Sequence, residues 1–365
     1  MVNFSNMYLN FSLKKTYISI KKFLKIHYIF YLFIFFFSAE YSLRYFGLGY
    51  NVQPINESSF NHHEHPKNFK FRSYEPNGEW GNFTINFDMY GNRIIKNICK
   101  KENSEYSSRI ILLGDSFIEG IQVSDQDSIG GLLQKEYCEE NYKVINLGVT
   151  SYSPVLSYIQ LFNQIQNNKD LILENSTLIH FLSGNDLEDD NYYSKKIETI
   201  NKGETVYTVI NSKKHDQLLK ILSRKSYFVR LIRRIILTIK VNTSNIFHDK
   251  KFQPKNNLFS SFDKCIVNST QIQITKVYIN KINKLVTNNG GKYIITAIPH
   301  DPQKREITNY SCFKEISEEL NIKFIESPNG LFINPLRYYF ERDLHLNIEG
   351  NRLLSNKIIR YLKNL

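Results

Sequence analysis

From residue 106 onward, short unbroken apolar runs alternate with longer stretches in which apolar residues return every three or four positions. The runs at 109–113, 143–147, 177–182, 292–298 and 323–326 have the length and the β-branched and aliphatic content of buried strands. Between them, helical periodicity covers 128–137. A second helix begins at "SPVLSYIQLFNQIQ", with Ser153 as N-cap and Pro154 at the first helical position. "QIQITKVYINKINKLVTNNGG" stops at Gly290, and "NIEGNRLLSNKIIRYLKNL" opens on Asn347 as a cap. This alternation predicts a parallel α/β sheet covered on both faces. Residues 187–262 break the rhythm and read as an insertion. Within it, "LLKILSRKSYFVRLIRRIILTIK" sets Val229, Ile232, Ile236 and Ile239 on one helical face and Arg230, Arg233 and Arg234 on another. The expectation is a covering helix packed on the core. An amphipathic helix at an anionic membrane surface is the alternative.

Upstream the pattern differs. Residues 1–25 form a basic tail, 26–45 a candidate transmembrane anchor or signal segment, and 46–105 a polar linker with a small strand-bearing extension. The uncharged run "IHYIFYLFIFFFSA" is only 14 residues long, against roughly 20 for a full span. Lys22 and Lys25 can snorkel at one side, and Tyr41, Tyr45 and Phe46 can sit at the other interface. A cleaved signal peptide is the competing reading. Phe37 stands where cleavage before Glu40 needs a small residue, which favours an uncleaved anchor. Lysines on the N-terminal side place the N-terminus in the cytoplasm and everything after residue 45, including the catalytic domain, 106–365, outside it, in a periplasmic or extracellular location. The "HHEH" run at 62–65 looks metal-like but sits beside Pro66, and it reads as a solvated loop.

The formal charge of +12 raises nucleic acid as a partner. Its distribution excludes that reading. Residues 1–39 carry five lysines and no acid, and 213–240 carry nine basic residues against Asp216, so the rest of the chain is about neutral. The four cysteines, Cys99, Cys138, Cys265 and Cys312, form no CxxC pair, which argues against zinc. In an exported domain they allow one or two disulfides, with three full pairings open. Small buried apolar residues are the alternative.

In an open parallel sheet, ligands bind beyond the carboxyl ends of the strands, so the residues after each apolar run carry the chemistry. The first run ends in Gly114-Asp115-Ser116, the second in "NLG" with Gly148, and the third in "SGND" with Asn185 and Asp186. "RDLHLN", with Asp343 and His345, precedes the last helix. Each block alone has a bland account. Asp115 and Ser116 can cap a helix, Asn185 and Asp186 can turn a loop, and His345 can cap the terminal helix. His180 and His300 read as structural histidines.

Taken together and in this order, the four blocks resemble the SGNH (GDSL-type) hydrolase superfamily over roughly 106–190 and 290–365. The resemblance implies a three-layer α/β/α, flavodoxin-like parallel sheet and ester chemistry without metal or cofactor. In that reading Ser116 attacks an ester carbonyl, His345 takes and returns its proton, and Asp343 orients the imidazole. The oxyanion hole consists of the backbone N–H groups of Ser116 and Gly148 and the Asn185 amide, with Asp115 and Asp186 in support. Gly148 suits a backbone that must approach a ligand closely. Two departures stand out. Ser183 occupies the family's glycine position two residues before the Asn, and the acid lies two residues before His345 rather than three. The shorter D-x-H spacing is similar to a membrane-anchored branch that includes polysaccharide O-acetyltransferases. The expected substrate is therefore an O-acyl, chiefly O-acetyl, ester of a cell-surface glycan or lipid. Two alternatives stay open: acyl transfer to an extracellular polysaccharide with the same residues, and a non-catalytic glycan-binding or assembly role.

Overall fold

The computed structural model describes residues 27–46, 55–58, 61–75, 79–96, 106–199, 205–207, 222, 226–232, 235–236, 265, 269–299 and 306–365. His300, Ile239, Arg233, Arg234 and Cys99 lie outside them. The chain divides into two units, one of 1–50 with 212–249 and one of 51–211 with 250–365.

The first unit is built on α1 (His27–Phe46), a helix of 20 residues with mean hydropathy 1.2 and an apolar window that is nowhere buried. By length and composition it can cross a membrane. The described part of the basic run meets this helix. Glu40 accepts hydrogen bonds from Ser226 Oγ (2.8 Å), Tyr227 N–H (3.0 Å) and Phe228 N–H (2.9 Å), where a helical segment begins. The Phe228 ring lies 5.1 Å from that of Phe36. Ile232 and Ile236 are 40% and 58% exposed.

The second unit opens with two antiparallel hairpins, β1 (Asn56–Ser58) with β2 (His62–Glu64) and β3 (Lys70–Tyr74) with β4 (Gly81–Asn86). The α/β part then runs β5 (Ser108–Leu113), α2 (Ser116–Glu119), α3 (Ile129–Tyr137), β6 (Tyr142–Asn146), α4 (Pro154–Asn167), β7 (Thr177–Ser183) and α5 (Asp186–Ser194). A small hairpin, β8 (Ile197–Thr199) and β9 (Thr205–Tyr207), follows. The rest is α6 (Ser269–Asn288), β10 (Lys292–Ile298), α7 (Glu306–Glu319), β11 (Lys323–Ile325), α8 (Gly330–Ile333), α9 (Pro335–Tyr338) and α10 (Ile348–Leu362).

The five-stranded sheet is parallel throughout, in the order β11-β10-β7-β5-β6. Counting its strands along the chain, this is the flavodoxin-like order 2-1-3-4-5. Alternate residues feed two cores. Ile111, Leu113, Leu178, Leu182, Ile295 and Ala297 pack under α4, α6 and α7. Ile110, Leu112, Ile179, Phe181, Ile294 and Ile298 pack under α2, α3 and α10. Three layers follow from that alternation. The Cys265–Cys312 disulfide ties α7 to the chain entering α6; Cys138 is also disulfide-bonded, and among the described residues no cysteine is free.

The run read as a solvated loop is in fact packed. Residues 63 and 65 share one face of β2 and its extension by the period-two rule, and there His63 and His65 are 9% and 1% exposed. The His65 ring stacks on Phe87. Arg93, fully buried, forms an antiparallel bridge with Asn146 on the edge strand β6.

Candidate functional site

In this strand order the topological switch lies between β5 and β7, and a ligand crevice is expected beyond their carboxyl ends. The chain leaves β5 through Gly114 into the single-turn helix α2, with Ser116 as its first residue. Asp115 is the N-cap, its Oδ1 accepting from Phe117 N–H at 3.0 Å. Capping is therefore real, but it belongs to Asp115 and leaves the Ser116 hydroxyl free to point elsewhere. Among the described residues the Ser116 N–H has no protein acceptor, as expected at a helix N-terminus.

His345 reaches this serine from a loop 229 residues away. The Ser116 Oγ–His345 Nε2 distance is 2.7 Å. On the other side of the ring, Nδ1 lies 2.6 Å from Asp343 Oδ1 and 3.2 Å from the Asp343 carbonyl. Both acceptors at Nδ1 require that nitrogen to carry the hydrogen, so Nε2 is left to accept the serine proton. Leu344, between the two, adopts φ +65°. This left-handed turn, unfavourable for a branched residue, lets Asp343 fold back onto the imidazole at a spacing of only two. The turn is held by Phe340 N–H donating to the His345 carbonyl (2.9 Å) and Leu344 N–H to the Phe340 carbonyl (3.1 Å). Burial opposes charging His345, but the hydrogen bond and charge of Asp343, with the charge of Asp115, outweigh it and raise its pKa above the usual value. A hydroxyl, a neutral imidazole and a carboxylate in series can generate an alkoxide-like nucleophile. His180 takes no part: it is buried on β7, bonded to the Tyr293 hydroxyl at 2.7 Å, and burial lowers its pKa to about 3.

The third block closes on the first through Ser183. Its Oγ lies 2.7 Å from Asp115 Oδ2, 2.7 Å from Asn185 Oδ1 and 3.2 Å from Asp186 Oδ1. One hydroxyl proton cannot serve three acceptors. Burial and, after it, the Asp115 charge push the Asp186 carboxyl well above the usual carboxylate range. The residue that replaces a glycine thus ties Asp115, Asn185 and Asp186 together. Asn185 also donates one amide hydrogen to Asp189 Oδ2 at 2.7 Å, which leaves its second N–H available.

Gly148 sits differently from expectation. Its N–H donates to Asn146 Oδ1 at 2.8 Å and so already has an acceptor. A Cβ here would lie 2.3 Å from Glu119 N and 2.5 Å from Ile118 C. The backbone of α2 presses directly on this glycine and leaves no room for a Cβ. Sequence reasoning passed over Glu119, whose buried carboxylate accepts from His65 Nε2 (2.9 Å) and Thr150 N–H (2.9 Å). Its position in the turn just after Ser116 was the available signal. Among the described residues no group of three metal-ligating side chains is present.

No family model matches the sequence, and no curated protein matches it. Solved structures do resemble the fold. A member of the lipolytic protein G-D-S-L family from Veillonella parvula is 14% identical, covers 71% of this chain and 100% of its own, and has a TM-score of 0.39. A putative lipolytic protein of the G-D-S-L family from Desulfitobacterium hafniense is 12% identical over 69% of this chain and 98% of its own, at 0.39. An acetyl xylan esterase from Geobacillus stearothermophilus is 13% identical over 70% and 94%, at 0.36. At these TM-scores the likenesses are distant.

Proposed function

We propose that this chain is a serine esterase of the SGNH type, with Ser116 as nucleophile, His345 as general base and acid, and Asp343 as the group that orients the imidazole. The observation that carries the reading is the continuous hydrogen-bonded path Ser116 Oγ–His345 Nε2, His345 Nδ1–Asp343 Oδ1, at 2.7 Å and 2.6 Å. Structural roles for the same residues do not require that path across two loops so distant in sequence. Ser116 Oγ attacks the ester carbonyl while His345 Nε2 takes its proton. The tetrahedral oxyanion collapses, the C–O bond to the alcohol breaks, and His345 returns the proton to the leaving oxygen. Water then repeats the sequence on the acyl-serine. The oxyanion is met by the Ser116 N–H and the remaining amide hydrogen of Asn185. Each such donor is worth on the order of a hundredfold in rate. Gly148 holds the turn rather than donating.

The substrate proposed is an O-acyl ester, chiefly O-acetyl, on a surface glycan or lipid, in keeping with the D-x-H spacing of Asp343 and His345. The domain is read as tethered by α1 outside the cytoplasm. The Cys265–Cys312 bridge supports that location, since such bonds persist in oxidising compartments. Turnover of a chromogenic acetyl ester by wild type and its loss in Ser116→Ala test the reading. A wild-type protein without Ser116-dependent turnover would refute it.

A further inference from the structure

The loops that carry the site are short and have little of their own to hold them. The helix that presents Ser116 is a single turn of four residues, too short to be stable alone. The Asp343–His345 loop turns through a strained leucine. Beyond the bonds already described, both are also held from outside the sheet, by the extension that precedes it. Glu79 accepts two backbone hydrogens of the base-bearing loop, Arg342 N–H at Oε1 (2.8 Å) and Asp343 N–H at Oε2 (3.2 Å). Arg93 closes the other end of the nucleophile turn. Its Nη1 donates to the carbonyls of Glu119 (2.7 Å) and Gly120, and its Nη2 to Val123 O (3.0 Å) and Asp125 Oδ1 (2.9 Å). His65 binds Glu119 Oε1, while Glu119 Oε2 takes Thr150 N–H, so the nucleophile turn and the loop after β6 are fastened through one carboxylate. His63 Nε2–H donates to Thr150 O at 2.7 Å on the same loop.

We propose that the described residues between 55 and 96 are a working part of the site, with Glu79, Arg93 and His65 (acting through Glu119) as positioning residues that hold the base loop and the nucleophile turn in register. The inference rests on the serine-esterase reading. Its physical content is that three loops are referenced to one segment that adds no strand to the five-stranded sheet and meets it at the Arg93–Asn146 bridge. A misplacement near 1 Å at a reacting atom costs about a hundredfold.

The experiment uses the full chain in detergent and measures two rates: Ser116 labelling by a fluorophosphonate, and kcat and KM for an acetyl ester, both normalised to folded protein. Glu79 is half-buried, so Glu79→Ala is expected to fold. It should lose about tenfold to a hundredfold in labelling rate and kcat, with KM little changed. Glu119→Ala should lose as much. Glu119→Gln should recover most of the rate, because its carbonyl still accepts from Thr150 N–H and its amide can donate to an unprotonated His65 Nε2. Wild-type rates per folded molecule in both alanine variants, with Ser116→Ala unlabelled, would overturn the inference and leave the esterase reading standing. If Glu119→Ala does not fold, Glu79→Ala decides alone. Wild type that fluorophosphonate does not label would overturn the esterase reading itself, and the inference with it.

Discussion

Gly148→Ala gives the sharpest steric test of how the nucleophile turn is held. The added Cβ would fall 2.3 Å from Glu119 N and 2.5 Å from Ile118 C, both backbone atoms with no rotamer to relieve the clash. Restoring ordinary contact at 3.4 Å requires a separation of about 1.1 Å between α2 and residue 148. A shift of that size is enough to open the 2.7 Å Ser116–His345 bond beyond hydrogen-bond reach. The expected cost is about a hundredfold in acetyl-ester turnover and about 1–3 kcal/mol of stability from overpacking. Turnover and thermal melting are measured on the same preparation, so that rate is expressed per folded molecule. A folded Gly148→Ala protein that turns over ester at close to the wild-type rate refutes the reasoning, because then α2 does not bear on Gly148 as described.

Two further outcomes follow from titrating groups. His345 acts as a base only when neutral, and its pKa is held above 6.5, so kcat/KM should rise with pH through a midpoint above that value; a midpoint below 6.5 in the pH–rate profile contradicts this. Burial raises the Asp190 carboxyl to about 7 from a usual 3.8, where it accepts from Val155 N–H at 2.9 Å and from Thr275 Oγ1. The unfolded chain releases this proton near 3.8 and the folded protein only near 7, so this group's contribution to stability falls as pH rises across that window. Asp190→Asn keeps the acceptor and should show a flatter decline of melting temperature over the same range; an unchanged decline removes Asp190 from the account.

Much of this was legible along the chain because the α/β core obeys local rules. The apolar runs gave strands within a residue or two, Ser153-Pro154 and Asn347 opened helices where they stand, and Gly290 closed one. The four polar blocks fall at strand ends because a parallel sheet delivers all its carboxyl ends to one edge. The losses have a common cause in long-range packing. His63 and His65 alternate as a strand face does, but their burial depends on Thr150 and Glu119, far away in sequence. Gly148 carries no signal that the backbone of α2 lies against it. Ser183 stood out as a departure from a pattern, yet its tie to Asp115 and Asp186 exists only once β5 and β7 lie side by side. The basic insertion has the period of an amphipathic helix, but periodicity does not say what covers the apolar face.

The central claim, that Ser116 is a nucleophile activated by His345, is tested most directly by fluorophosphonate labelling followed by peptide mass spectrometry. The account predicts a single adduct on Ser116 in wild type, none in Ser116→Ala, and strongly slowed formation in His345→Ala. An adduct at another serine, or none on wild-type protein that is demonstrably folded, would contradict it.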